Sequence, residues 1–261
     1  MFNGPQKRLA VYTVILNDYD LLREPHIRNE GIDFICFTDN LTITSEVWNI
    51  VPIPKEVLSE QSAFKISRKL KIFPHLYLTS YDSSLYIDGN IELIDSLYPW
   101  FHVHERNEVI SVARHPERNC SFKEAEECAA RGYVKISMVA RQMRRYKVDL
   151  PVNYGLGELN IILRKHDCAA LHAAMQDWWD EVSTKSERDQ LSFIWAMKKN
   201  QISVSFLNSE KDIKGFFFKH QHKILKNQEA QSRENPIIYK LMYHFRKLLF
   251  KVHMLYPWVQ K

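Results

Sequence analysis

The chain has no apolar run of about 18 or more residues, the length a helix needs to cross a bilayer, so no membrane-spanning helix is expected. Glycine and proline are sparse, at 7 and 10 of 261 residues, which argues against low complexity or long disorder. Cysteine is sparser still. Cys36, Cys120, Cys128 and Cys168 are too few for a disulfide framework, and the spacing of Cys120 and Cys128 does not suit zinc. They read as reduced structural thiols of a cytosolic protein. Acid is missing from one region only. Residues 236–261 contain no Asp or Glu, but they contain Lys240, Arg246, Lys247, Lys251 and Lys261. The net charge of +5 belongs to this tail, and residues 1–235 balance. No nucleic-acid-binding face is therefore expected on the main body. The N-terminal MFNGPQKRLAVYTVIL lacks a small-residue cleavage site and reads as a first strand rather than a signal peptide.

What is present is enough apolar residue, 45% of the chain, to build one large domain, or one domain with an appendage. Strand-like and helix-like segments alternate. Arg8–Leu16, Asp33–Asp39, Trp48–Ile53, Ser84–Leu93 and Glu108–Arg114 are apolar or β-branched runs. Between them, Ala63, Ile66, Leu70 and Phe73 recur at helical spacing over Ser62–Phe73. Further helices are expected over Phe122–Ala130, Lys135–Tyr146, Cys168–Val182 and Glu187–Lys199, with strands at Glu158–Arg164 and Ile202–Leu207. Such alternation predicts an α/β fold with a mixed, mostly parallel sheet flanked by helices. The expected organisation is a domain over 1–210, a polar closing segment over 211–235 and a basic amphipathic helix over 236–261.

In open α/β sheets, ligands bind beyond the carboxyl ends of the strands. Three expected strand ends here are polar: Asn17-Asp18-Tyr19-Asp20, Thr38-Asp39 and Asp88-Gly89-Asn90. The last is ambiguous. Asp-Gly between apolar runs is a strong turn signal, yet an acid with a second oxygen donor two residues on can also hold a metal. Upstream of it, Arg68 and Lys71 share one helix face.

This order of features resembles the nucleotide-sugar half of a GT-A type, Rossmann-like glycosyltransferase. The stretches VYTVILNDYDLL (Val11–Leu22), DFICFTD (Asp33–Asp39), SRKLKIFPHLYL (Ser67–Leu78) and LYIDGNIEL (Leu85–Leu93) carry a more specific resemblance. They are joined by RHPERNCSFKEAE (Arg114–Glu126), GLGELNIILRKH (Gly155–His166), Trp178-Trp179 and RDQLSF (Arg188–Phe193). Together these motifs resemble the TOD/MUCI-type glycosyltransferase-like family, whose bacterial members lie in surface-polysaccharide loci.

The resemblance implies roles. Asp88 and Asn90 would hold Mn²⁺ or Mg²⁺ on a diphosphate, with His220 or His222, in FFFKHQHK, completing the site. Asn90 is neutral where such pairs are acidic. Asp39 would accept from the donor base, with Tyr12, Thr13 and Asp20 lining the same pocket. Arg68 and Lys71 would neutralise the diphosphate. His115, Arg118, Gln190 and Trp179 would face the sugar or acceptor. Glu158 and Asp189 are the acids available near the reacting carbon, either as a base for the acceptor hydroxyl or as electrostatic stabilisers. Inverting and retaining outcomes both stay open.

The tail places Ile238, Leu241, Met242, Phe245, Leu248, Leu249, Val252 and Leu255 along one stripe, with Lys240, Lys247 and Lys251 away from it. Such a helix either lies on a membrane or docks on the domain or a second subunit. The reading favoured is a metal-dependent glycosyltransferase on the inner face of the cytoplasmic membrane. It would use a nucleotide-sugar donor, UDP-linked as first choice, and a glycan or lipid-linked glycan acceptor of capsule or lipopolysaccharide type. A metal-dependent nucleotide-sugar or lipid hydrolase, a non-catalytic glycan-binding module and a homo-oligomer remain as alternatives.

Overall fold

The computed structural model describes residues 8–60, 62–104, 108–223 and 235–256. A seven-stranded sheet forms the centre. In chain order its strands are β1 (Leu9–Ile15), β2 (Asp33–Thr38), β3 (Trp48–Pro52), β4 (Ser83–Ile87), β6 (Ile110–Arg114), β7 (Gly157–Lys165) and β8 (Val204–Leu207). Across the sheet the order is β3-β2-β1-β4-β7-β6-β8. β7 runs antiparallel to both its neighbours, and every other pairing is parallel. The expected mixed, mostly parallel sheet is therefore present. A two-stranded ribbon joins β5 (Ile91–Leu93) to β9 (Phe217–Lys219).

The helices are α1 (Ala63–Ile72), α2 (Pro74–Tyr77), α3 (Leu97–His104), α4 (Ser121–Arg131), α5 (Ile136–Tyr146), α6 (Ala169–Thr184), α7 (Asp189–Lys199) and α8 (Pro236–Leu255). They are distributed unevenly. One core, against α1, α4, α5, α6 and α7, takes Ala10, Tyr12 and Val14 from β1. The other, against α3 and the ribbon, takes Leu9, Val11 and Ile15. β1 is thus buried on both faces, which is why it reads as an unbroken apolar run.

LYIDGNIEL is not one strand. β4 ends at Ile87, the Ile91 N–H donates to the Asp88 carbonyl at 2.8 Å, and β5 leaves the main sheet to pair with β9. The Asp-Gly turn is real, but it links two sheets instead of closing a hairpin. The region expected to be a polar closing segment carries a strand in its first half, and 224–234 lies outside the described residues.

α1 begins where Ser62 Oγ accepts from the Lys65 N–H at 3.2 Å, an N-cap that satisfies an otherwise orphaned donor. It ends against Pro74, with Lys69 and Lys71 in its last turn, where the helix dipole favours cations. α8 docks on α4 and α5. Phe250 and His253 are buried there, and the Tyr243 hydroxyl donates to Glu127 at 2.7 Å.

Candidate active site

Strand direction explains how distant motifs meet. The segments after β1, β4 and β6 leave the same sheet edge, and antiparallel β7 begins there with Gly157-Glu158. Asn17 and Asp18 turn the chain at the end of β1 with φ of 53° and 49°, a left-handed conformation that Asn and Asp tolerate. In β7, Leu159 has φ 63° where the β6–β7 register shifts. An irregularity of this kind next to a cleft re-aims neighbouring side chains, and Glu158 and Asn160 on either side of Leu159 both line the cleft.

That cleft has a volume of ≈ 660 Å³. Its deepest charges come from α1 and the start of α7. Lys71 Nζ donates to Asp189 Oδ2 at 2.8 Å and lies 3.8 Å from Asp88 Oδ1. Arg68 Nε is 3.2 Å from the same Asp189 oxygen but is not aligned for a hydrogen bond, so the attraction is Coulombic. Burial alone would raise the Asp189 pKa; the Arg68 and Lys71 charges outweigh it and hold the carboxyl well below its usual range. Asp189 is therefore a poor proton acceptor and a strong anchor for two cations. The Tyr86 hydroxyl donates to Asp88 Oδ1 at 2.7 Å. Burial, then the Asp88 charge, pushes the Tyr86 pKa well up, which keeps that proton in place.

The Asp88–Asn90 turn packs under the loop after β1. A Cβ on Gly89 would lie 3.0 Å from Asp20 Cβ and 3.0 Å from Ile15 Cγ1. Glycine is needed for this close approach, since its φ is not positive. Asp20 in turn faces His222, whose Nδ1 is 3.0 Å from both carboxylate oxygens. Carboxylates orient imidazoles in this way at metal sites, where Nε2 is then the ligating atom. Asn90 Nδ2 donates to the His220 carbonyl at 2.7 Å, so Oδ1 points elsewhere, and it is buried without a partner.

Asp88, Asn90 Oδ1 and His222 thus offer oxygen and imidazole donors. Among the described residues, no group of three His, Cys, Asp or Glu could hold a metal. This donor set fits a hard divalent cation that takes its remaining ligands from phosphate and water. It does not fit a closed structural zinc site.

The other half of the cleft is built from α4, the loop after β6 and Glu158. Glu124 is buried and holds Arg118 Nε at 2.6 Å and an Arg188 nitrogen at 3.5 Å. His115 Nδ1 accepts the Glu117 and Arg118 N–H groups at 3.2 and 3.1 Å, fixing the turn that carries Arg118. Burial lowers the His115 pKa below its usual value and so favours the neutral ring, against the pull of Glu124. Gln190 Nε2 donates to the Glu158 carbonyl at 3.0 Å and its Oε1 accepts from Arg188 at 2.9 Å. The Glu158 carboxylate pairs with Lys219.

Residues 5–223 match the TOD1/MUCI70 glycosyltransferase-like domain. The chain belongs to this family. No curated protein matches it. Among solved structures it is similar to the apo form of WbbM, a bifunctional glycosyltransferase, at 13% identity and a TM-score of 0.48. That similarity covers 77% of this chain and 39% of the WbbM chain, so this chain spans about two fifths of that protein.

Within this TOD1/MUCI70 domain the cleft gathers Asp20, Arg68, Lys71, Asp88, Asn90, His115, Arg118, Glu158, Asp189, Gln190 and His222. Five expected site residues lie elsewhere. Tyr12 is buried in the sheet core, where its hydroxyl donates to the Lys71 carbonyl at 3.0 Å. Thr13 is buried one residue further along β1, because that strand continues to Ile15 before it opens to the cleft. Trp179 packs edge-on against Phe73 in the core, with Lys69 Nζ 5.6 Å from its ring centre, and it does not line the cleft. The His220 ring turns to Glu92 at 2.6 Å and stays out of the cleft, because Lys219 just before it faces the cleft and successive side chains of a strand leave on opposite sides. Asp39 is exposed at the end of β2, and both its oxygens accept the Asn17 N–H at 3.1 Å. It stands beside the cleft wall rather than in it.

Tyr86, Glu124, Arg188 and Lys219 were not singled out from the sequence. Arg188 and Tyr86 sit inside the RDQ and LYID motifs and could have been found there. Glu124 and Lys219 carry no local signal.

Proposed function

We propose that this domain transfers a glycosyl group from a nucleotide-sugar donor to a hydroxyl of a growing cell-surface glycan. UDP-linked donors are the first to test, and a capsule or lipopolysaccharide glycan is the acceptor class.

One observation carries this reading. Four residues lining the cleft own buried polar atoms with no hydrogen-bond partner: Arg68 Nε, Arg188 Nε, Asn90 Oδ1 and Asn160 Oδ1. Buried orphans are costly, at about 1–3 kcal/mol each, and they call for a ligand or solvent. Two are cationic donors and two are amide acceptors. A diphosphate bound with a divalent cation offers acceptors to the first pair and positive charge to the second.

Arg68 and Lys71 hold the phosphoryl oxygens, and Asp189 keeps both cations in place. Asp88, Asn90 and His222 would hold Mn²⁺ or Mg²⁺, which offsets charge on the departing diphosphate. Glu158 accepts the proton of the acceptor hydroxyl. As that oxygen bonds to the anomeric carbon, the bond to the diphosphate oxygen breaks and the nucleoside diphosphate leaves.

The test is nucleoside diphosphate release from a panel of nucleotide sugars, with glycan acceptors, in Mn²⁺ and in EDTA. Acceptor-dependent release that falls in EDTA is expected. Replacing Glu158 with Gln should lower kcat by about 10²–10⁴-fold, the usual contribution of a general base. Release that ignores acceptor points to a hydrolase instead. Glycan binding without release from any donor would leave a binding module and sink the transferase reading.

A further inference from the structure

We infer that the outward face of α8 binds an anionic membrane surface. The helix is two-sided in an unusual sense. Its docked side, with Tyr243, Phe250 and His253, rests on α4 and α5. Its most apolar side does not. Ile238, Leu241, Phe245, Leu248 and Leu255 are 56%, 67%, 59%, 62% and 69% exposed. At 3.6 residues per turn these positions form one stripe along the whole helix. A helix whose apolar stripe served the domain core would bury it. Here the domain holds the opposite side and presents the stripe outward.

The rim of the stripe selects the occupant. Lys240, His244, Lys247 and Lys251 fall on one flank, and residues 236–261 contain no acid. Lys251 Nζ already lies 3.4 Å from Glu126 of α4. A second copy seated on the stripe across a two-fold axis would bring Lys240 and Lys247 against their own mates, and α8 has no carboxylate of its own to separate them. A bilayer bearing anionic headgroups accepts both the apolar stripe and the basic rim. No helix among the described residues is long and apolar enough to cross a membrane, so α8 would lie in the interface.

The placement also bears on the cleft. Glu127 lines the cleft and accepts the Tyr243 hydroxyl from α8, so one helix, α4, separates the lipid-facing stripe from the acceptor half. Delivery of a lipid-linked acceptor along that wall rests on the proposed transfer reaction; the binding itself does not.

Vesicle co-sedimentation of the full chain tests the binding. The vesicles are phosphatidylcholine with and without phosphatidylglycerol. Wild type is expected to bind only the anionic vesicles, less tightly as salt rises. The triple variant Leu241→Ser, Phe245→Ser, Leu248→Ser should bind at least about tenfold more weakly. Lys240→Glu with Lys247→Glu should lose the preference for anionic lipid. All these side chains face outward or lie on the rim, and thermal melts confirm that each variant is folded. Deleting α8 is avoided because Phe250 belongs to the core. No wild-type binding, or equal binding by wild type and the triple variant, overturns the inference. So does a dimer in light scattering that the triple variant abolishes.

Discussion

Lys71 Nζ and Asp189 Oδ2 meet at 2.8 Å across 118 residues of sequence, both almost wholly buried. A buried pair of this kind is costly to break, because the survivor keeps its charge without compensation. Asp189→Asn should therefore destabilise the fold by about 3–5 kcal/mol in urea melts. The double change with Lys71→Met should recover part of that loss. The sign of the pH effect follows from the depressed Asp189 pKa. Its stabilisation is present above the unfolded carboxyl value of about 3.9 and is lost as pH falls toward the folded value. If Asp189→Asn melts like wild type at pH 7, the pair does not anchor α1 to α7.

Gly89→Ala tests the approach of the two loops. The added methyl would meet Asp20 Cβ and Ile15 Cγ1 at 3.0 Å, closer than such carbons pack. A loss of about 1–3 kcal/mol is expected from this overpacking, measured by denaturant unfolding. Nucleotide binding should weaken with it, since Asp20 is pushed from His222. Unchanged stability would mean the β1 loop is free to shift.

Asn90→Asp would turn the neutral member of the turn into the acid usual in such pairs. The present geometry argues against a gain. Asn90 Nδ2 donates to the His220 carbonyl, and a carboxylate oxygen there would face another acceptor. A loss of about 1–3 kcal/mol is expected in thermal or urea melts. A variant as stable as wild type that binds Mn²⁺ more tightly would refute the clamp.

Two histidines make the fold acid-sensitive. Burial lowers the His75 and His166 pKa values to about 4, from about 6.5 when unfolded. Between these values the unfolded chain binds more protons, so stability should fall as pH drops from 6.5 to 4. His75 stacks on His172 with ring centres 3.9 Å apart and meets Phe73 edge-on, and the positive charge of the neighbouring histidines and of Arg164 adds to the effect of burial. His75→Leu should flatten the dependence of Tm on pH in that window. An identical pH profile would remove His75 as a contributor.

Much of this arrangement is legible in the residues themselves. The central parallel strands β1, β2 and β4 are buried almost throughout and so read as continuous apolar runs, and Arg68 and Lys71 reach the cleft from the helix face their spacing defines. LYIDGNIEL was harder, since a strand that changes sheets at a turn looks locally like one strand. β9 is three residues long and α3 carries Pro99 near its start, so neither has a clear period. Trp179 and Tyr12 show the limit of reading roles from motifs: each belongs to a motif but serves the core. The partners of Glu124 and Lys219 depend on which strands and helices become neighbours, and no local pattern encodes that.

The ribbon of β5 and β9 has a further consequence. Asn90 Nδ2 holds the His220 carbonyl, and the His220 N–H returns a bond to the Asn90 carbonyl at 2.8 Å. A chain emerging from the ribosome has all seven strands of the main sheet once Leu207 is made. It still lacks the partner of the Asp88 turn and the imidazole that faces Asp20. The domain can acquire its sheet before its cleft, whose lining is incomplete until His222 is made.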